Sequence, residues 1–99
     1  MARRAASAFA LAVLAAGAQA SDDEGRRLFT SLTPPCALCH ALKDAGATGA
    51  IGPSLDELKP DRERVLKALR TGIGQMPAFG HLTQAQMEAL ASYVEQATR

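Results

Sequence analysis

Apolar positions along the chain recur at helical spacing in three places. Gly25, Leu28, Phe29 and Leu32 stand at i, i+3, i+4 and i+7, one face of a helix. Ser21 and Glu24 are spaced as a capping box ahead of that face, and Asp22 and Asp23 suit the positive end of the helix dipole. Thr33-Pro34-Pro35 closes this helix. Met87, Leu90, Ala91 and Val94 repeat the pattern near the end, with Tyr93 flanking the stripe. There Thr83 and Gln86 form a second capping box, with Leu82 and Met87 placed as a hydrophobic staple. Between the two, Asp61 caps a segment running to about Thr71, with Val65, Leu66 and Leu69 inward and Gly72 as its stop. Neither a convincing alternating strand nor an internal repeat is present.

The intervening stretches are irregular. Ala45 to Gly52 is nearly all Ala and Gly, and Gly72 to Gly80 has no period. Such segments let backbone approach a flat partner closely, so they read as loops around something the chain itself does not supply.

At the start, Arg3-Arg4 precede a run from Ala5 to Ala16 broken only by Ser7, and Ala18-Gln19-Ala20 follows. A charged start, an apolar stretch and an Ala-x-Ala site describe a signal peptide over 1–20, cut before Ser21. An uncleaved anchor is the competing reading, but a bilayer takes about 20 apolar residues. Twin-arginine export lacks its usual bulky apolar residues. Cleavage leaves 21–99, 79 of the 99 residues, as one domain in the periplasm with no membrane span.

Export removes two of the eleven basic residues, leaving nine against ten acidic ones, a formal charge of −1. That balance, without a basic stripe, excludes a nucleic-acid binder. A chain this small has a marginal core and usually needs a cross-link or metal. Two cysteines separated by two residues would close only a tiny loop, which constrains the unfolded state little.

Both cysteines lie in Pro34-Pro35-Cys36-Ala37-Leu38-Cys39-His40. On a short helix after the prolines, Cys36, Cys39 and His40 fall at i, i+3 and i+4 and share a face. Two thiols on one side can add across the two vinyl groups of a haem while the adjacent imidazole reaches its iron. Cys-x-x-Cys-His is therefore read as a c-type haem attachment site, one haem c per chain. A thioredoxin-like pair would want a βαβ setting. A zinc site recruiting His81 would place its histidines 41 positions apart, against roughly three to five in zinc fingers. A plain disulfide leaves the glycine loops unexplained.

Three side chains are candidates for the second axial position. Met87 belongs to a helical stripe and reads as core, and His81 reads as an exposed turn residue. Met76 lies in an irregular loop stiffened by Pro77 and is the preferred ligand. A thioether favours ferrous iron, so a His/Met pair raises the reduction potential.

Taken together, Cys36-Ala37-Leu38-Cys39-His40, Met76-Pro77 and Ile51-Gly52-Pro53-Ser54-Leu55 resemble the class I cytochromes c, over essentially all of Ser21 to Arg99. The resemblance implies an all-α cytochrome c fold, three main helices and a short haem-attachment helix around one covalent haem. It implies that the Pro53 carbonyl accepts a hydrogen bond from the His40 ring, raising its donor strength. It also implies that Gly25 with Phe29 and Leu90 with Tyr93 mark the crossing of the terminal helices. The run between His40 and Met76 is short for the family, implying a less covered propionate edge, and Arg70 is the propionate partner considered. Leu42 to Ala47 and Leu55 to Gln75 are similar to the small cytochrome partners of bacterial sulfite dehydrogenases.

The function so implied is a one-electron carrier, not an enzyme. Its redox partners would dock at the exposed haem edge, on a small uncharged rim of Pro34, Pro35, Ala37 and Ala78. The alternative is a permanent electron-accepting subunit of a dehydrogenase containing molybdenum or flavin, such as sulfite dehydrogenase. Ligand sensing or peroxidase-like chemistry would need an open iron position.

Overall fold

A computed structural model describes residues 22–99; the proposed signal peptide and the Ser21 cap lie outside the described residues. Helix α1 spans 22–31 and buries Gly25, Leu28 and Phe29. The single turn α2, Cys36–Cys39, begins where Pro35 leaves extended backbone and ends at His40, itself extended, whose N–H donates to the Cys36 carbonyl at 2.9 Å. After it, β1 (Ala41–Leu42) and β2 (Ala47–Thr48) pair antiparallel around a 3₁₀ turn, Lys43–Ala45. Helix α3 is another single turn, Leu55–Leu58. The longer helices are α4, Arg62–Thr71, and α5, Gln84–Ala97.

The three main helices are those predicted from periodicity, and the short one is the turn expected after the prolines. The hairpin and α3 were not predicted. Strands of two residues are too short to show alternation, and α3 is one turn held by a Ser54 cap, whose hydroxyl accepts from the Glu57 N–H at 3.4 Å.

Caps fix the ends of the long helices. The Asp61 carboxylate accepts from the Arg64 N–H at 2.8 Å. Thr83 and Gln86 exchange both bonds of a capping box, at 3.1 and 2.9 Å. Leu82 and Met87 of the staple are both buried. Helix α4 turns Leu66 and Leu69 onto the core, and α5 contributes Met87, Leu90, Ala91, Tyr93 and Val94. The Arg62 N–H donates to Glu95 at 2.7 Å and its guanidinium pairs with Glu88, joining the start of α4 to α5.

The terminal helices meet at a glycine. A Cβ on Gly25 would overlap the Tyr93 side chain and lie 2.5 Å from the Ala89 carbonyl oxygen. Phe29 packs edge-on against Tyr93, with ring centroids 6.3 Å apart. Only a residue without a side chain permits this approach of α1 to α5.

Candidate functional site

A cavity of about 510 Å³ opens between α2, the 51–53 turn, α4 and the 73–77 loop. Cys36, Cys39, His40, Pro53 and Met76 all line it. Met87 is in the core and His81 sits outside against Phe79, and neither lines the cavity. A recess of about 60 Å³ carries the cleft inward to Phe29, Leu55, Val65, Leu90 and Val94. The space thus reaches the centre of the helical shell.

Each wall has a local cause. Pro34 and Pro35 direct the chain into α2, so the two cysteines one turn apart meet the same space. His40 has already left the helix, and its ring is held from outside it. His40 Nδ1 lies 2.7 Å from the Pro53 carbonyl oxygen. A carbonyl only accepts, so Nδ1 carries the hydrogen, and in the neutral ring Nε2 keeps its lone pair. Among the described residues Nε2 has no hydrogen-bond partner. Gly52 makes room for this, since a Cβ there would lie 2.7 Å from His40 Cε1.

Glycines of the 45–52 stretch do allow close approach, Gly49 to the end of α2 and Gly52 to the His40 ring at the cavity wall. A Cβ on Gly49 would lie 2.6 Å from the Leu38 carbonyl oxygen, and the Gly52 N–H donates to the Cys39 carbonyl at 2.7 Å. The segment folds back over the end of α2, with Gly49 against its backbone and Gly52 against the His40 side chain. On the other loop, Ile73 and Met76 exchange N–H···O bonds of 3.0 and 2.9 Å, and Gly72 and Gly74 have left-handed φ of 68° and 54°. That tight turn carries the half-buried Met76 to the cavity.

Cys36 and Cys39 are unpaired thiols, both half-buried. Burial pushes the Cys36 thiol up to about 11. Ile51 and Ile73 line the cavity yet are 69% and 70% exposed. Large apolar side chains facing an open cleft are the mark of a site for an apolar occupant. Two thiols, an imidazole with a free nitrogen and a thioether around an apolar space of this size fit a covalently held haem. Among the described residues no cluster of three or more His, Cys, Asp or Glu side chains could hold a metal ion.

Two expectations change. Arg70 does not line the cavity; Arg64, two turns earlier on α4, does. Helical phase explains it, because the polar face of α4 is wide and only the packing of α4 on α5 selects the part that borders the cleft. On the anticipated rim, Pro34 and Pro35 border the opening and Ala78 is exposed, but Ala37 packs half-buried against the core, and Leu38 is the exposed residue of α2.

Residues 20–94 match the protein family described as cytochrome c oxidase, cbb3-type, subunit III. Most of the chain is matched, and it belongs to this family of c-type cytochromes. The oxidase subunit of that description is the family's namesake. The crystal structure of the c-type cytochrome SorU from Sinorhizobium meliloti is similar at 49% identity and a TM-score of 0.78, over 81% of this chain and 93% of SorU. No curated protein matches the chain significantly. The fold is accordingly the cytochrome c fold, and the activity is that of a small electron-carrier cytochrome. No helix among the described residues is long and apolar enough to cross a membrane.

Proposed function

We propose that the chain is exported, loses residues 1–20, and works in the periplasm as a one-electron carrier with a single haem c. Cys36 and Cys39 hold the group through thioethers. Each S–H adds across a vinyl double bond, sulfur to one carbon and hydrogen to the other. His40 and Met76 would hold the iron, and Pro53 would orient the imidazole. The observation that carries this reading is the convergence of all five residues on one apolar cavity. The likeness to SorU, itself a c-type cytochrome, supports it further.

Bound haem supplies a centre that takes and releases one electron as Fe(III)/Fe(II). The chain's own part is to keep that centre rigid and dry. The 2.7 Å bond to Pro53 fixes the His40 ring and strengthens it as a donor. Met76, on its tight turn, offers a soft sulfur that favours the reduced state. With both positions filled, no substrate needs to coordinate, which supports a carrier over a sensor or a peroxidase.

Partners dock where the cleft opens. Pro34, Ile51 and Ile73 border it, uncharged and exposed, and encounters on such rims bury little area and turn over rapidly. A molybdenum sulfite dehydrogenase is the favoured electron donor, because Leu42–Ala47 and Leu55–Gln75 resemble the cytochrome partners of such enzymes. In the alternative reading the chain is a permanent subunit of that dehydrogenase, which co-purification through a large interface would reveal.

Production in cells equipped with the c-type haem maturation machinery tests the proposal. The expected product is red, starts at Ser21, and has the mass of the polypeptide plus one haem. A colourless protein with the mass of its amino acids alone would overturn it.

A further inference from the structure

Among the described residues, Arg64 is the only charged side chain lining the cavity apart from the titratable His40 and the two thiols. It projects from the first turn of α4, where a cation opposes the helix dipole. Arg62 shares that disadvantage but is paired with Glu63 and Glu88. Arg26, Arg27 and Arg99 are salt-bridged as well. Among the described residues the Arg64 guanidinium has no such partner, and only its backbone N–H is engaged, by the Asp61 cap. Nothing in α4 accounts for its place, and no carboxylate of the chain lines the cavity.

An apolar cleft holding an anionic group must supply a counter-charge. The haem of the preceding proposal, on which this inference rests, carries two propionates. We infer that Arg64 binds a haem propionate, closing the cleft's polar end with charge-assisted hydrogen bonds. Gln75, whose side-chain amide also lines the cavity, is exposed as Arg64 is but carries no charge. Arg64 therefore sets the ionisation of that carboxylate and, through its charge, the balance between the two iron states.

The test compares holoprotein of the wild type with Arg64→Gln, Arg64→Lys and Arg70→Gln, using midpoint potentials from pH 5 to 8 without any protein partner. Arg64→Gln removes a positive charge near the iron and is expected to favour Fe(III) by up to about tenfold, equivalent to about 59 mV for one electron. It should also make the potential fall more steeply with pH, because the unpaired carboxylate releases its proton within this range. Cys36, Cys39 and His40, the other titratable lining groups, are taken out of titration by thioether and iron bonds. Arg64→Lys should shift in the same direction but less, and serves if Arg64→Gln does not accumulate. Arg70→Gln, an equal charge change on the same helix away from the cavity, should match wild type. A red Arg64→Gln protein with an unchanged potential and pH profile sinks the inference while leaving the haem reading intact. In a separate measurement with a redox protein added, slower transfer at unchanged potential would likewise sink it, assigning Arg64 to an acidic partner surface. A colourless wild type removes both.

Discussion

His40 Nδ1 and the Pro53 carbonyl oxygen are 2.7 Å apart, and this bond spans the hairpin that separates them in sequence. It fixes the tautomer of the one histidine that faces the cavity. Gly52 is what lets the carbonyl come so near. Gly52→Ala would place a methyl group 2.7 Å from His40 Cε1. Either the ring or the turn must yield, with an expected loss of about 1–3 kcal/mol. Thermal unfolding followed by circular dichroism should show it, with roughly 4–8 °C lost per kcal/mol for a domain of this size. An unchanged midpoint would mean that the turn is not seated against the ring.

Met76 and Met87 offer a paired test of the second axial position. Met76→Ala is expected to abolish the far-red sulfur-to-iron band of the oxidised protein and to lower its potential, since a soft donor is lost. Met87→Leu fills the same core volume and should keep the band, at a cost below about 1.5 kcal/mol. Survival of the band in Met76→Ala would transfer the role elsewhere.

The crossing of α1 and α5 depends on Gly25. A methyl group there would meet the Tyr93 side chain and the Ala89 carbonyl, both on a helix that cannot shift without disturbing α4. Gly25→Ala should lower the urea midpoint by an amount equal to about 1–3 kcal/mol, even though alanine favours the isolated helix. A stabilised variant would show that helix propensity outweighs the contact.

Acid and alkali should each weaken one end of a second link. The Tyr93 hydroxyl donates to Asp44 at 2.6 Å, and Arg26 donates to the same carboxylate oxygen at 3.0 Å. The Tyr93 hydroxyl first, then Arg26, hold the Asp44 carboxyl below its ordinary value. Its stabilisation is therefore full above the unfolded value near 3.9 and is lost as pH falls through the lower folded one. Burial, then the Asp44 contact, pushes Tyr93 up to about 12, so its contribution is full below about pH 10 and disappears toward 12. Tyr93→Phe should cost about 1 kcal/mol at neutral pH and remove the alkaline decline in unfolding midpoint between those limits. A Phe variant with an unaltered alkaline profile would dissociate the decline from Tyr93.

Periodicity and caps by themselves determined the three long helices, and the prolines with the Cys-x-x-Cys-His spacing pointed to the single turn that carries both cysteines. Those features are local: a helix face repeats every 3.6 residues, and two cysteines three positions apart are neighbours on a single turn, whereas His40 has left that turn and depends on Pro53 for its orientation. The Gly-Pro turn was legible through resemblance, because only tertiary folding carries Pro53 back to His40. Tertiary structure alone decided that Gly49 packs on the backbone at the end of α2 and Gly52 on the His40 ring. It alone formed the two-residue hairpin and chose Arg64 over Arg70 for the border of the cleft. Each of these depends on how distant segments meet, and the six residues from Arg64 to Arg70, about 1.7 turns at 3.6 residues per turn, put the two charges on different sides of α4, a difference the pattern of an exposed face does not rank.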